Sequence, residues 1–563
     1  MEVACPVAPA DDWVVRTADR VRAEAERRHP GLAPTCASGI SPSGPVHLGN
    51  LRELMVPHLV ADEVRKQGAP CRHILSWDDY DRLRRVPDGF GESFAEHIGR
   101  PLSAVPDPCG RHPSWAEHFK EPLREALARL GVVVTEISQT KMYTSGAYTE
   151  QIVTAMRRRA DVGAVLARYQ TKRDAEPDDD DPQTAVYYPF RPYCAVCGRD
   201  DTTVTAFDDE TTEITYICAC GARVGPTPIA EVAGKLAWKV DWPMRWAYER
   251  VTFEPAGVDH SSPGSSFTVG GHLVSEIFGG LMPLHFGYAF VGFTGGSSKI
   301  SSSAGRAPTP ADALEIFEAP LLRWLYARRR PEQSITLAFD AEVGRVYDEW
   351  DALSRRIAGG TADAAAQATF ARASATAEGP LPVTPRPLPF RTLASVADIT
   401  AGDQAQILRI LRDLTVDDPV RILDEVRPRL DCAQAWVTEY APAAERTRVR
   451  DEPDEARLAA LTDSERDALK LLTEGMAADW SLEGLTTLLY GIPKLQRGLP
   501  ISAPPTDELK ASQRAWFILL YQLLIGKNTG PRLPTLLLAL GQDRVRTLLT
   551  PRYLDQPAAV ARN

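Results

Sequence analysis

The sequence lacks any apolar run long enough to cross a membrane, which argues against a membrane-spanning protein or a membrane partner. Its first residues also lack the basic and apolar regions of a secretory signal, so we expect a cytoplasmic location.

The sequence also contains few cysteines and fewer positively than negatively charged residues. Nine cysteines among 563 residues are too few for a disulfide framework. The net charge of −11 argues against a protein that binds nucleic acid nonspecifically over its whole surface, so any nucleic acid must be met by local basic patches. The remaining composition, 44% hydrophobic and 25% charged, is typical of a globular protein, and the length predicts roughly three or four domains.

A glycine-rich turn between a strand and a helix is the first candidate site. Residues 39–50 read GISPSGPVHLGN and precede a helix that begins near Leu51. Such a turn presents backbone N–H groups to an anion at a helix N-terminus, and His47 and Asn50 would reach the same ligand. An ordinary strand–helix connection remains the alternative.

The strand predicted over residues 72–77 makes this region the start of a doubly wound α/β domain. Ligands of such sheets lie beyond the carboxyl ends of the strands, where Asp78 and Asp79 follow this strand. At least one of the pair could instead cap the next helix. A polar turn over residues 257–264, with Asp259 and His260, and a strand over residues 283–293 are predicted on the same side.

Four cysteines have the spacing of a metal site. Cys194 and Cys197 form one pair, Cys218 and Cys220 the other, and each pair is next to a glycine. Four thiolates suit a structural zinc with no open coordination position. Four unrelated buried cysteines are the alternative interpretation.

Lys299 is followed by the hydroxyls of Ser301, Ser302 and Ser303 in a glycine-flanked loop that could bind a polyphosphate or be a flexible linker. From about residue 311 helical periodicity dominates. Basic segments at residues 328–330 and 526–532 could contact RNA, or could be surface charge on helix ends.

The paired signals resemble two signatures of class I aminoacyl-tRNA synthetases: His47-Leu48-Gly49-Asn50 resembles HIGH, and Lys299–Ser303 resembles KMSKS. More narrowly, the chain resembles class I lysyl-tRNA synthetases in residues 42–53, 76–82, 238–246, 259–264 and 526–549.

The resemblance implies a ligase that activates L-lysine with ATP and Mg²⁺ and passes it to the 3′ end of tRNA-Lys. It implies a Rossmann-type catalytic domain over residues 1–310, with an insertion at about 85–235 and a structural zinc knuckle at about 190–224. A helical connector (311–358), a linker (359–389) and an all-α anticodon-binding domain (390–563) would follow. We expect a monomer.

The resemblance also assigns site residues. His47, Asn50, Lys299, Ser301 and Ser302 would be catalytic. The expected ATP-binding residues are Pro42, Ser43, Gly44, His47, Gly49, Asn50, Gly257, Asp259 and Lys299. The lysine pocket would comprise Gly39, Ser41, Trp238, His260 and Tyr288, and Asp79 is a further candidate for pairing with an ammonium of lysine.

One position departs from the family pattern. The loop usually reads KMSSSKG, and Ala304 stands here in place of its second lysine. Losing a charge that acts in the transition state could slow adenylation roughly 100-fold or more unless Arg306 compensates. Two alternatives therefore remain open, a lysine-adenylating paralogue with a non-tRNA acceptor and a non-catalytic tRNA- or lysine-binding paralogue. The retained helical C-terminal region argues against the first, and intact His47, Gly49, Asn50 and Lys299 argue against the second.

Overall fold

The computed structural model describes residues 12–169, 186–261, 265–295, 307–442, 446–504 and 506–550. The chain divides into two compact units. The first unit contains residues 1–294, 300–338 and 352–382, and the second contains residues 295–299, 339–351 and 383–563.

The strands are β1 (Thr35–Ile40), β2 (Arg72–Trp77), β3 (Thr135–Ser138), β4 (Phe190–Pro192), β5 (Thr202–Phe207), β6 (Glu213–Cys218), β7 (Arg223–Pro228), β8 (Gly234–Leu236), β9 (Ala256–Gly257), β10 (Gly287–Tyr288), β11 (Val291–Thr294), β12 (Ile335–Ala338), β13 (Ala375–Thr376) and β14 (Gly379–Pro380).

The α-helices are α1 (Trp13–Arg28), α2 (Leu48–Lys66), α3 (Trp115–Arg129), α4 (Gln139–Thr144), α5 (Thr149–Arg157), α6 (Arg159–Ala167), α7 (Trp238–Glu249), α8 (Ser266–Glu276), α9 (Pro310–Ile316), α10 (Ala319–Ala327), α11 (Glu342–Ala358), α12 (Ala364–Ser374), α13 (Phe390–Ile399), α14 (Gln404–Leu414), α15 (Arg429–Ala435), α16 (Glu455–Ala459), α17 (Asp463–Gly475), α18 (Leu482–Leu495), α19 (Asp507–Ile525), α20 (Leu533–Leu540) and α21 (Gln542–Leu549).

A parallel sheet organises the first unit. β1 pairs with β2 and β2 with β3, all parallel, with Gly39 opposite Ser76. Parallel bridges join Cys36 to Phe253 and Phe253 to Leu284, and β9 pairs parallel with β10. The spatial order is therefore β3, β2, β1, then the segment leading into β9, then the segment leading into β10. This order is doubly wound, so the predicted α/β fold is confirmed.

The helices that follow these strands bury apolar faces against the sheet. Leu51, Leu54 and Met55 of α2 are fully buried. Val21 of α1 and Val60 of α2 pack in one cluster with Cys36 and Phe253 of the sheet. β1 and β2 are buried along nearly their whole lengths, as expected of parallel strands that are covered on both faces.

Some predicted boundaries differ from the structure. β3 is a strand of the main sheet, although it lies within the predicted insertion at 85–235. The predicted helical connector contains β12, which pairs parallel with β11. The predicted linker 359–389 contains α12 and the β13–β14 hairpin, and residues up to 382 belong to the first unit. Ala- and Pro-rich composition suggested a linker here, whereas contacts made by the fold order the segment.

The second unit has its own core. From Phe390 to Leu549 the regular elements of the described residues are helices. Leu472 and Leu489 of α17 and α18 are buried with Leu520 of α19 and Leu537 of α20. None of the helices in the described part of the chain combines the length and apolar character that spanning a bilayer requires.

A buried ion pair fixes the end of β2. The Asp79 carboxylate accepts from Lys120 Nζ at 2.7 Å, from Ser138 Oγ at 2.6 Å and from the Thr140 backbone N–H at 2.8 Å. The side chains of Asp79 and Lys120 are 3% and 2% exposed. Because these contacts join the end of β2 to α3 and to the start of α4, Asp79 supports the carboxyl edge of the sheet.

Lys120→Met should destabilise the first unit by about 3–5 kcal/mol, because it leaves the Asp79 charge buried without its partner. We expect the melting temperature of that unit to fall by roughly 5 °C or more in calorimetry. The additional change Asp79→Leu should recover part of the loss, and Lys470→Met, at an exposed position, should have no effect. A Lys120→Met protein that melts with the wild type would contradict this role.

Candidate functional site

His47 and Asn50 of the HIGH-like segment cap the N-terminus of α2. His47 Nδ1 accepts from the Gly49 backbone N–H at 3.1 Å, and the Asn50 side-chain oxygen accepts from the His47 backbone N–H at 3.3 Å. A Cβ at Gly49 would lie 2.8 Å from His47 Cε1, so only glycine fits there. Burial lowers the pKa of His47, which keeps the imidazole neutral near pH 7. The turn thus holds a neutral donor–acceptor ring at a helix N-terminus, where anions are favoured.

A cavity of about 170 Å³ opens at the carboxyl edge of the sheet. Its wall includes glycines at the ends of two strands, Gly39 and Gly257. Its aromatic lining consists of Trp238, Trp242, Trp246, His260 and Tyr288, and its carboxylates are Glu53, Asp78, Glu249 and Glu254.

The tryptophans form one wall because they are spaced by four residues on α7, which places them on one helix face. Trp238 and Trp242 are stacked with ring centroids 5.0 Å apart, and Trp246 lies 5.0 Å from Trp242. The His260 ring lies 5.7 Å from Trp238. Such a wall suits a flexible alkyl chain that ends in a cation.

Glu53 is half-buried on α2 beside this wall. Its carboxylate accepts from the Gly39 backbone N–H at 3.1 Å and from the Tyr288 hydroxyl at 3.4 Å. Burial, and to a smaller extent repulsion by Glu254, raises the pKa of Glu53 to about 8. Within the described residues no lysine or arginine forms a salt bridge with it.

Glu254 is held by two indoles. Trp242 Nε1 donates to one carboxylate oxygen at 2.9 Å, and Trp246 Nε1 donates to the other at 2.6 Å. Burial raises the pKa of Glu254 to about 7. No salt bridge to a lysine or arginine is found for Glu254 either, in the part of the chain that the structure covers.

The other two carboxylates of the cavity do have cations. Asp78 accepts from Arg245 at 2.6 Å, and Arg245 also binds Asp241. Burial nevertheless raises the pKa of Asp78. Glu249 pairs with Arg72 at 3.2 Å. Because Arg245 binds two aspartates, the described lining of the cavity has more acidic than basic side chains.

The structure brings together most of the predicted lysine pocket. Gly39, Trp238, His260 and Tyr288 line the cavity, as does Gly257 of the predicted ATP set. Ser41 is exposed and does not line it. Asp79 does not line it either, because its carboxylate is turned toward Lys120, and Asp78 occupies the wall instead.

Three further predicted ATP residues, Pro42, Ser43 and Gly44, come shortly before the start of α2. The Ser43 carbonyl accepts from Trp115 Nε1 at 3.1 Å, and Pro42 and Gly44 flank it. Asp259 lies 3.4 Å from His260 on a short 3₁₀ turn. Lys299, Ser301 and Ser302 lie outside the described residues.

Glu53, Glu254 and Trp242 are the residues that sequence reasoning missed. The four-residue spacing of the tryptophans was a usable signal for Trp242. Nothing local marks Glu53 or Glu254, because a glutamate after a helix start or inside a strand-like run is ordinary until the fold buries it.

The four predicted cysteine ligands converge. Sγ of Cys194 lies 3.8 Å from Sγ of Cys220, and Sγ of Cys197 lies 3.7 Å from Sγ of Cys218. All four sulfurs lie within 4.8 Å of one another. A tetrahedral zinc with bonds of about 2.3 Å separates its sulfurs by about 3.8 Å, so this donor set fits zinc.

A second group of donors was not expected from the sequence. Ligand atoms of Asp107, Cys109, His112 and His118 also lie within 4.8 Å of one another. Oxygen, sulfur and imidazole nitrogen are all donors that zinc accepts, so these four residues could hold a second ion.

Comparison with known proteins agrees with this architecture. A family model described as "tRNA synthetases class I (K)" matches residues 11–377. The chain is 55% identical to a "Lysine--tRNA ligase" of Streptomyces coelicolor, with 98% of this chain and 100% of that protein covered. Proteins of the same name are 32% identical in Treponema pallidum, covering 92% and 94%, and 34% identical in Thermococcus kodakarensis, covering 90% and 94%.

The family model spans more than half of the chain and the relatives align over nearly all of it. This chain therefore belongs to the class I tRNA synthetases (K), the class I lysyl-tRNA synthetases.

Proposed function

We propose that the chain is a lysine–tRNA ligase, which activates L-lysine with ATP and transfers it to the 3′ end of tRNA-Lys. The observation that carries this proposal is the cavity, where aromatic rings surround two carboxylates, Glu53 and Glu254, that form no salt bridge with a lysine or arginine within the described residues. A buried charge without a partner is costly, so a site that retains one is built for a cationic ligand.

Lysine fits the cavity with its backbone at the carboxyl edge of the sheet. Asp78 follows β2 at that edge and would receive the α-ammonium. The alkyl chain would pass along Trp238 and Trp242, and its terminal ammonium would meet Glu53 beside Tyr288. The carboxylate of lysine is then left facing the N-terminus of α2, where ATP is expected.

The chemistry needs positioning and charge stabilisation. An oxygen of the lysine carboxylate attacks the α-phosphorus of ATP, the bond from phosphorus to the bridging oxygen breaks, and lysyl-adenylate and pyrophosphate result. His47, Gly49 and Asn50 would hold the ATP phosphates with Pro42, Ser43 and Gly44, and Gly257 and Asp259 would approach the nucleotide. Lys299, Ser301 and Ser302 would stabilise the charge that develops on the phosphates. Mg²⁺ would accompany ATP and share that charge.

The second step is transfer to tRNA. A hydroxyl of the 3′-terminal ribose attacks the carbonyl carbon of lysyl-adenylate, and AMP leaves with the electrons of the broken C–O bond. No covalent protein intermediate is required. Residues 390–563, helical where described, would be the anticodon-binding region, and the protein would act in the cytoplasm as a monomer.

A structural zinc would be held by Cys194, Cys197, Cys218 and Cys220. These residues are contributed by the turn after β4 and by the end of β6 with the turn that follows it. The ion would crosslink this small sheet and take no part in the reaction, because four thiolates leave no coordination position open.

The proposed function is tested by lysine-dependent ATP–pyrophosphate exchange and by charging of tRNA-Lys. We expect both activities in the wild type, and Lys299→Ala should slow exchange roughly 100-fold or more because it removes transition-state charge stabilisation. Ala304→Lys should change exchange little if Arg306 supplies the missing charge. Exchange without charging would favour a non-tRNA acceptor, and tRNA binding without exchange would favour a non-catalytic paralogue.

The pH dependence of lysine binding should follow Glu53. Its pKa of about 8 means that Glu53 is mostly protonated at pH 7 and gains the charge that binds ammonium as pH rises. The KM for lysine should therefore fall severalfold, up to about tenfold, between about pH 7 and about pH 8.5. Glu53→Gln should raise the KM and flatten this dependence. A wild-type KM that rises over this pH range would contradict the assignment.

Zinc content should depend on the four thiols. Purified protein should carry zinc, and Cys197→Ser should lower the content by about one ion per chain in elemental analysis, because three thiolates bind more weakly than four. Cys432→Ala, which alters a buried cysteine of the second unit, should leave it unchanged. Equal zinc in Cys197→Ser and wild type would rule out this donor set.

A further inference from the structure

We propose that Glu254 is a specificity-determining residue, which supplies a second carboxylate to the side-chain ammonium of the substrate. This inference rests on the proposed lysine ligation and deepens it, since it names the group that selects a charged side chain over a neutral one of the same shape.

The position of Glu254 in the sheet supports this role. Phe253 bridges Cys36 of β1, so Glu254 lies beside the middle of β1 rather than at its end. Ala37, in the middle of β1, also lines the cavity. Gly257 and Gly39, by contrast, lie at the carboxyl edge. A side chain that enters from the edge therefore extends toward Glu254.

The charges point to a ligand between Glu254 and Glu53. Both side chains line the cavity, and repulsion by Glu254 contributes to the raised pKa of Glu53. Arg245 forms its salt bridges with Asp78 and Asp241, and its charge only partly offsets the burial that raises the pKa of Glu254. An ammonium placed between Glu53 and Glu254 would neutralise both and remove their repulsion.

The two indoles leave Glu254 able to bind that ammonium. Each carboxylate oxygen has two acceptor positions, and Trp242 and Trp246 use one on each oxygen. The indoles thereby fix the carboxylate without supplying a positive charge. A purely structural Glu254 would only satisfy these two N–H groups, and the experiment must separate that role from charge recognition.

The test compares lysine with norleucine, its neutral isostere. The KM for lysine and the competitive inhibition constant of norleucine are measured in ATP–pyrophosphate exchange, and their ratio gives the selectivity for the charge. In Glu254→Gln this selectivity should fall at least about tenfold, because lysine loses a charge-assisted hydrogen bond that norleucine never makes. If both ligands weaken by the same factor and the ratio is unchanged, the proposal is overturned.

A second pair of variants removes the structural complication. Glutamine at position 254 can accept a hydrogen bond from only one indole. The double variant Glu254→Gln/Trp246→Phe therefore leaves no indole N–H without an acceptor. Trp246→Phe alone is the matched control for this double variant. The same fall in selectivity is expected between these two proteins, and equal ratios in them would overturn the proposal even if Glu254→Gln alone does not fold. Glu276, on α8, pairs with Arg168 at the surface. Glu276→Gln should therefore leave selectivity unchanged.

Failure of this inference can be told apart from failure of the proposed function. A wild type that shows no lysine-dependent exchange contradicts lysine ligation itself. In the other case, the wild type is active and selective for lysine. If Glu254→Gln is then equally selective, or if the double variant is as selective as Trp246→Phe, only the role of Glu254 is contradicted.

Discussion

Two cavity carboxylates that form no salt bridge with a lysine or arginine of the described residues, Glu53 and Glu254, are the constraint around which the first unit is arranged. Burial opposes ionisation of each, and repulsion by Glu254 makes ionisation of Glu53 harder still. The protein satisfies them only with neutral donors, namely two indoles, a tyrosine hydroxyl and one backbone N–H. The negative potential of the cavity therefore remains available to a substrate.

Several other buried charges of the first unit are paired with an opposite charge. Asp79 has Lys120, Asp241 has Arg245, and Arg372 is bound by Asp12 and Glu63. Pairs of this kind hold strand ends and helices in position. Breaking one leaves an unpartnered charge in the protein, whereas the cavity carboxylates gain their partner only when a ligand binds.

The cavity keeps its shape because neighbouring segments are tied together. Arg52, one residue before Glu53, is buried and donates to the backbone carbonyls of Ala289, Pro331 and Gln333. Ala289 follows Tyr288, whose hydroxyl donates to Glu53. The Arg52 side chain thus connects α2 to the end of β10 and to the segment before β12. These contacts hold Glu53 and Tyr288 in fixed positions relative to each other.

The sequence by itself determined the parallel α/β order, the turn before α2, the cysteine ligand set and the likeness to class I lysyl-tRNA synthetases. These depend on local spacing: small residues in a turn, paired cysteines, and apolar runs of strand or helix length. The resemblance to that family, rather than local spacing, singled out Trp238, His260 and Tyr288, which line the cavity.

Only the tertiary structure decided which acidic residues face the cavity. Asp78 and Asp79 are adjacent in a turn and indistinguishable by composition, yet Lys120, 41 residues later, draws Asp79 away. Glu53 and Glu254 are about 200 residues apart in sequence. Both line the cavity because their segments both lie next to β1. Burial and charge compensation depend on such distant contacts. Neighbouring residues therefore could not predict which carboxylates pair with a cation. Nor could they predict that two of them form no salt bridge in the described part of the chain.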